Sequence, residues 1–225
     1  MSVDQKNYKE ILAELGSKAK LVAVSKTKSA ADITELYNLG HRDFGENYVQ
    51  ELVDKYAALP TDIQWHFIGH LQSNKVKFIV PFISLIHGVD SFRLLQEINK
   101  QGQKNNRTIN CLLQVHIAKE ETKFGLSEEE LSGLIVQVNT NEKELSNVNI
   151  SGLMGMASFT DDMEKVRSEF RYLKSLFDKH SKLETQNSKL TILSMGMSAD
   201  YKIAIEEGSN MVRIGSLIFG ERNYS

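Results

Sequence analysis

Lysine 26 stands one serine after the apolar run Leu21-Val22-Ala23-Val24. A lysine at the end of a buried strand has two uses. It can run out along its methylene stem to solvent. It can also stay in a low-dielectric mouth, where its charged form is disfavoured, its pKa falls, and its amine can condense with an aldehyde. Lys28 carries the same chemistry two residues on, but Lys26 directly follows the apolar run and is preferred. Two further segments concentrate polar groups where strands end. In Ser194-Met195-Gly196-Met197-Ser198-Ala199-Asp200, Gly196 lets backbone approach a ligand closely. Ser198 is a candidate N-cap for the helix that follows, whose free N–H groups would attract an anion. The plain alternative is a capped strand-to-helix junction. In Arg213-Ile214-Gly215-Ser216, Gly215 and Ser216 add backbone donors and a hydroxyl, and Arg213 brings a permanent charge. The alternative for Arg213 is a structural ion pair, for instance with Glu46. Two such loops in succession point to a bound phosphate.

Other chemistries are argued against. Neither GxxxxGK[ST] nor GxGxxG occurs, so no nucleotide fingerprint is present. His66 and His70 are four apart, a spacing that suits zinc on a helix. The surrounding Trp65-His66-Phe67-Ile68 reads as a strand, and no glutamate accompanies the pair as in HExxH, so no metal site is expected. The one cysteine, Cys111, lies in an apolar run and reads as a small buried residue, with no intramolecular disulfide possible. With 27 basic and 29 acidic residues the formal charge is -2, which gives no bulk attraction to nucleic acid or a membrane surface. The first residues are polar, without the apolar core of a signal peptide. No stretch approaches the roughly 20 apolar residues of a membrane span. A cytoplasmic protein that engages neither nucleic acid nor membrane is the expectation.

The elements that must position these residues alternate along the chain. Short apolar runs fall at residues 21–24, 41–44, 64–68, 84–89, 109–117, 148–154, 190–193 and 211–214. Several are too apolar for a one-sided sheet and read as parallel strands buried on both faces. Between them lie helical patterns. Residues 30–39 carry Ile33, Leu36 and Tyr37 on one face and stop at Gly40. Residues 127–138 open with a capping box, Ser127 and Glu130. Residues 161–180 place Met163, Val166, Phe170, Leu173 and Phe177 at helical spacing. Residues 198–207 form a further helix ending at Gly208, and 140–147 read as a loop. Strand and helix repeated eight times imply right-handed crossovers and a closed (β/α)₈ barrel, with an extra N-terminal helix near residues 4–15. An open doubly wound sheet is the alternative. No Gly/Ser/Pro-rich linker divides the 225 residues, so one α/β domain spanning 1–225 is expected. In such a barrel, function sits on the loops after the strands, where Lys26, Ser194 and Gly215 fall.

Six segments together carry a resemblance: VAVSKTK (22–28), FGENYVQE (44–51), WHFIGHLQSNK (65–75), GLMGM (152–156), LSMGMSADY (193–201) and VRIGSLIFGER (212–222). In this order they resemble the pyridoxal phosphate homeostasis proteins, over nearly the whole chain. The resemblance implies a barrel of the alanine-racemase N-terminal type. It implies pyridoxal 5′-phosphate (PLP) held covalently, as a Schiff base, on Lys26. It places phosphate contacts on Ser194, Gly196, Met197, Gly215 and Ser216, Arg213 beside the pyridine nitrogen, and Asn47 against the ring. Ser29 and Ala157 replace prolines often seen in the family, and Gly155-Met156 stand where Ala-Ile is common. These departures bear on loop stiffness at the mouth.

The implied function is a PLP-binding protein of cofactor homeostasis and delivery, without turnover of its own. It would act as a monomer that meets PLP-dependent apo-enzymes transiently. The alternative is a PLP-dependent amino-acid racemase. Racemisation needs an acid or base on each face of the substrate carbanion and a ring able to take up charge. Alanine racemases draw one such group from a C-terminal β domain and a dimer partner. The sequence ends soon after the eighth unit, so that domain is expected to be lacking, and only Tyr48 and His70 can be placed near the mouth.

Overall fold

A computed structural model describes residues 3–118, 124–181 and 188–220. Eight parallel strands close into a barrel in sequence order. They are β1 Lys20–Val24, β2 Asp43–Glu46, β3 Gln64–Phe67, β4 Leu85–Val89, β5 Ile109–Val115, β6 Val148–Gly155, β7 Ser188–Ser194 and β8 Met211–Ile214. Closure runs from Lys20 opposite Met211 to Ala23 opposite Ile214. This pairing rules out the open doubly wound sheet.

The strands are apolar because both faces are covered. On the outside, Leu21, Ala23, Phe44, Trp65 and Ile86 belong to one core that also takes in the helices. Inside the barrel, Val22, Leu85, Leu112, Met154 and Met211 form a second, smaller cluster. Cys111 is fully buried in the outer core, and burial pushes its thiol far above the usual range.

The helices are α1 Gln5–Leu15, α2 Ala30–Asn38, α3 Val49–Ala58, α4 Val76–Ile79, α5 Phe92–Lys104, α6 Glu128–Thr140, α7 Met163–His180, α8 Tyr201–Glu206 and α9 Ser216–Phe219. The N-terminal helix α1 is capped by Asp4, which accepts the Asn7 N–H. The capping box of Ser127 and Glu130 opens α6, and a second one, Ser29 with Asp32, opens α2. No helix among the described residues is long and apolar enough to cross a membrane.

Three local expectations are corrected. The second strand lies at Asp43–Glu46 rather than at 41–44. Glu46 looks like a loop residue by type, yet it is fully buried, with Ser25 and Lys55 both on its Oε1 while Oε2 has no partner among the described residues. The helix expected from residue 198 starts at Tyr201, and Ser198 is not its cap. Asp200 instead accepts the Met197 N–H, and that turn postpones the helix. The four-residue α9 goes unseen in the sequence, being too short to show a period.

Candidate functional site

Lys26 sits at the mouth, two residues beyond the end of β1. Val22 points into the barrel, and Lys26 follows the strand in a turn closed by the Lys28 N–H, which donates to the Ser25 carbonyl at 3.0 Å. The β1–β2 pairing ends with Val24 opposite Gly45 and the Ser25 N–H donating to the Gly45 carbonyl at 3.0 Å. A buried polar cluster fixes the backbone around Lys26. The Ser25 hydroxyl donates to Glu46 Oε1 at 2.6 Å. The Lys55 ammonium donates to the Ser25 carbonyl, Glu46 Oε1 and Glu51 Oε1, each at 2.7 Å. Glu51 Oε1 also accepts the Thr27 N–H at 2.6 Å. Thr27 has φ of 65°, a conformation that β-branched residues rarely adopt without being held there. Burial pushes the Glu46 carboxyl above its usual range, and Lys55 and Ser25 pull against that shift. Lys28 faces other partners, since its ammonium donates to the Phe219 carbonyl at 2.8 Å, at the C-terminal end of α9. The two lysines left open by sequence thus serve different surroundings.

Arg213 lies in β8 and is buried. Its Nη1 donates to Ser194 Oγ at 2.6 Å and its Nη2 to the Gly155 carbonyl at 3.0 Å. The considered ion pair with Glu46 is not formed, because Lys55 holds that carboxylate. Burial lowers the Arg213 pKa to about 10, against the opposing charge of Asp200, so the guanidinium stays charged at neutral pH. Ser194 is fully buried, its hydroxyl between Arg213 and His87. The Oδ1 of Asn47 is buried and without a hydrogen-bond partner among the described residues.

The loop glycines have structural reasons of their own. Gly196 has φ of 96°, and a Cβ there would lie 2.6 Å from the Ala204 Cβ. The positive φ and the close packing of α8 both demand a glycine here. A Cβ on Gly215 would lie 3.1 Å from the Val24 carbonyl oxygen, so a side chain there presses on β1. The Met197 N–H is given to Asp200, at 2.6 Å. The Gly215 N–H is given to Ser198 Oγ, at 3.3 Å. Ser216 is exposed at the first turn of α9, where the N–H groups of Ser216 and Leu217 have no acceptor within the helix.

His66 and His70 separate. His66 points to Asp43, 3.0 Å away. His70 stacks on Phe124 at 4.4 Å, with Nδ1 3.6 Å from Asp90. Tyr48 is 60% exposed. Sequence reasoning missed the Ser25–Glu46–Lys55–Glu51 cluster and the inward His87. One signal was available for the first, the Glu51/Lys55 pair at four-residue spacing on a helix.

The model of the alanine racemase N-terminal domain family matches residues 5–223. The pyridoxal phosphate homeostasis protein of Aquifex aeolicus is 45% identical over 207 residues, covering 92% of this chain and 88% of that one. The chain belongs to the pyridoxal phosphate homeostasis protein family. The human member is 40% identical over 216 residues, 92% of this chain and 78% of its own. PipY of Synechococcus elongatus, another solved relative, superposes with a TM-score of 0.88 without PLP and 0.86 with PLP bound. Both comparisons are at 33% identity and cover 96% of this chain and 99% of PipY. The alanine racemase of Clostridium difficile shares the fold, with a TM-score of 0.77 at 15% identity over 57% of the racemase.

Proposed function

We propose that this member of the family binds PLP as an imine on Lys26, in the cytoplasm and as a monomer, and stores it or hands it to PLP-dependent apo-enzymes without turnover. The observation that carries the reading is Arg213, a buried, charged guanidinium at the mouth whose hydrogen bonds go to neutral oxygens. A ligand with an anionic group and a ring nitrogen suits it. The rest of the mouth fits as well. Lys26 supplies the amine, and the unpartnered Asn47 Oδ1 supplies an acceptor against the ring. The phosphate contacts expected at Ser194, Gly196, Met197, Gly215 and Ser216 border two loops. Within those loops the Ser216 and Leu217 N–H groups and the Ser198 hydroxyl are the nearest to hand.

When bound, the cofactor would supply an electron sink for carbanions, a weaker one without a proton at its pyridine nitrogen. Arg213, placed beside that nitrogen, would oppose the proton. The family names support homeostasis rather than catalysis, and PipY with PLP bound supports the ligand. The racemase reading would need acid–base groups on two faces. Tyr48 is turned to solvent and His70 is stacked on Phe124, so neither favours it.

Borohydride reduction of the PLP-loaded protein, followed by peptide mass spectrometry, tests the attachment. A phosphopyridoxyl mass on the Lys26 peptide is expected. A label on Lys28 or Lys75 overturns the assignment.

A further inference from the structure

Behind Arg213 a line of hydrogen bonds crosses the barrel interior to its opposite end. Arg213 Nη1 lies 2.6 Å from Ser194 Oγ, and Ser194 Oγ lies 3.2 Å from His87 Nδ1. His87 Nε2 is 2.9 Å from His66 Nδ1, and His66 Nε2 is 3.0 Å from Asp43 Oδ1. The same Asp43 oxygen takes the Lys20 ammonium at 2.7 Å. Six strands (β8, β7, β4, β3, β2 and β1) contribute one residue each. The far end opens into a cavity of about 540 Å³ lined in part by Lys20, Asp43, Gln64 and His66.

Chemistry at the two ends decides where every hydrogen sits. Burial would raise the Asp43 carboxyl, but hydrogen bonds from His66 and Lys20 outweigh it and hold the group below its usual range. Asp43 is therefore an anion that only accepts. Arg213 only donates. Burial pushes both histidines below their usual range, that of His87 furthest, with the charge of Arg213 adding to the effect on His87 and that of Lys20 opposing Asp43 at His66. Both rings are neutral, each with one donor and one acceptor. His66 gives its Nε2–H to Asp43, so its Nδ1 accepts. His87 then gives its Nε2–H to His66, and its Nδ1 accepts the Ser194 hydroxyl. Ser194 oxygen in turn accepts from Arg213. No other order satisfies the line.

We propose that Asp43, His66 and His87 form a positioning relay that holds Ser194 as a one-way link and pins the Arg213 guanidinium toward the mouth. Ser194 is then a bracket for Arg213 and has no hydrogen left to give a phosphate. The relay is a property of the chain itself. Only its effect on a bound cofactor rests on the PLP reading above.

Two experiments test it. The first is long-range ¹H–¹⁵N correlation of the histidine side chains in PLP-free protein at pH 7, with His66→Gln and His87→Gln used for assignment. Both rings should be neutral and protonated on Nε2. Asparagine can donate as well as accept, so Asp43→Asn should release the order and bring in the other tautomer at His87 as well as at His66. An Nδ1-protonated or charged His87 in the unaltered protein, or a His87 signal untouched by Asp43→Asn, overturns the relay. The second experiment follows the imine absorbance of the PLP-loaded protein against pH. Asp43→Asn and His87→Leu should displace its midpoint by about half a unit or more. His87→Gln, whose amide accepts and donates in the same sense, should restore it. A midpoint unmoved in all three variants means that the relay does not position the site. Absence of any imine band in the unaltered protein sinks the PLP reading instead, while the tautomer result stands by itself. Should His87→Leu fail to fold, Asp43→Asn, altered at the far end of the line, still decides the matter.

Discussion

Lys55→Met probes the platform under Lys26. Glu46 is fully buried and Lys55 nearly so, with side-chain exposures of 0% and 8%. Methionine keeps most of the stem and its packing but removes three hydrogen bonds and the charge. A buried carboxylate left without its counter-ion costs about 3–5 kcal/mol. At roughly 2–4 °C per kcal/mol for a domain of this size, the melting temperature should fall by about 6–20 °C. The loss should depend on pH with a definite sign. Burial already holds the Glu46 carboxyl above its usual range, and loss of Lys55 raises it further. A carboxyl raised in the folded state binds its proton more tightly there than in the unfolded chain. The penalty is absent below the unfolded pKa. It grows as pH rises toward the folded pKa and is constant above it, so Lys55→Met should be closer to the parent at pH 5 than at pH 7. Glu46→Gln combined with Lys55→Met leaves no buried charge and should recover part of the loss. Urea denaturation of the three proteins at both pH values measures this. A deficit under about 1 kcal/mol, equal deficits at both pH values, or a double variant no better than the single would refute the reasoning. Below its unfolding transition, Lys55→Met should also form less imine, because the Ser25 carbonyl and the Thr27 N–H lose their anchor.

Lys26→Ala should lose the imine absorbance yet unfold within about 1 kcal/mol of the parent, since a half-buried rim residue adds little to the core. A chain that no longer folds would show the lysine to be structural. Pyridoxal without its phosphate should bind at least about tenfold more weakly by fluorescence titration, because charge-assisted hydrogen bonds are the stronger ones. Equal affinity would remove the case for a phosphate site. The loaded protein should restore activity to a PLP-dependent apo-enzyme and should leave the α-hydrogen of L-alanine unexchanged in heavy water by NMR. Steady exchange that disappears in Lys26→Ala would favour the racemase reading.

Local pattern and composition were enough for the barrel. Strands buried on both faces leave near-continuous apolar runs, and β8 at Met211–Ile214 is legible to the residue. Ser127 and Glu130, three apart, are legible for the same reason, because a cap is completed within one turn. The loops that gather Lys26, Asn47, Arg213 and Gly215 at one end follow from strand order alone. Tertiary structure decided the rest wherever a polar group is satisfied by a residue far along the chain. Glu46 belongs to β2 because Ser25, 21 positions earlier, and Lys55 make its burial tolerable. Ser198 meets Gly215 across 17 positions and so is unavailable as a helix cap. Ser194 meets His87 across 107 positions, and only the closed barrel brings those strands to opposite sides of one interior. Periodicity records which face of an element is buried. It carries no record of the partner that waits there, because that partner is set by packing among strands whose separation in sequence leaves no local trace.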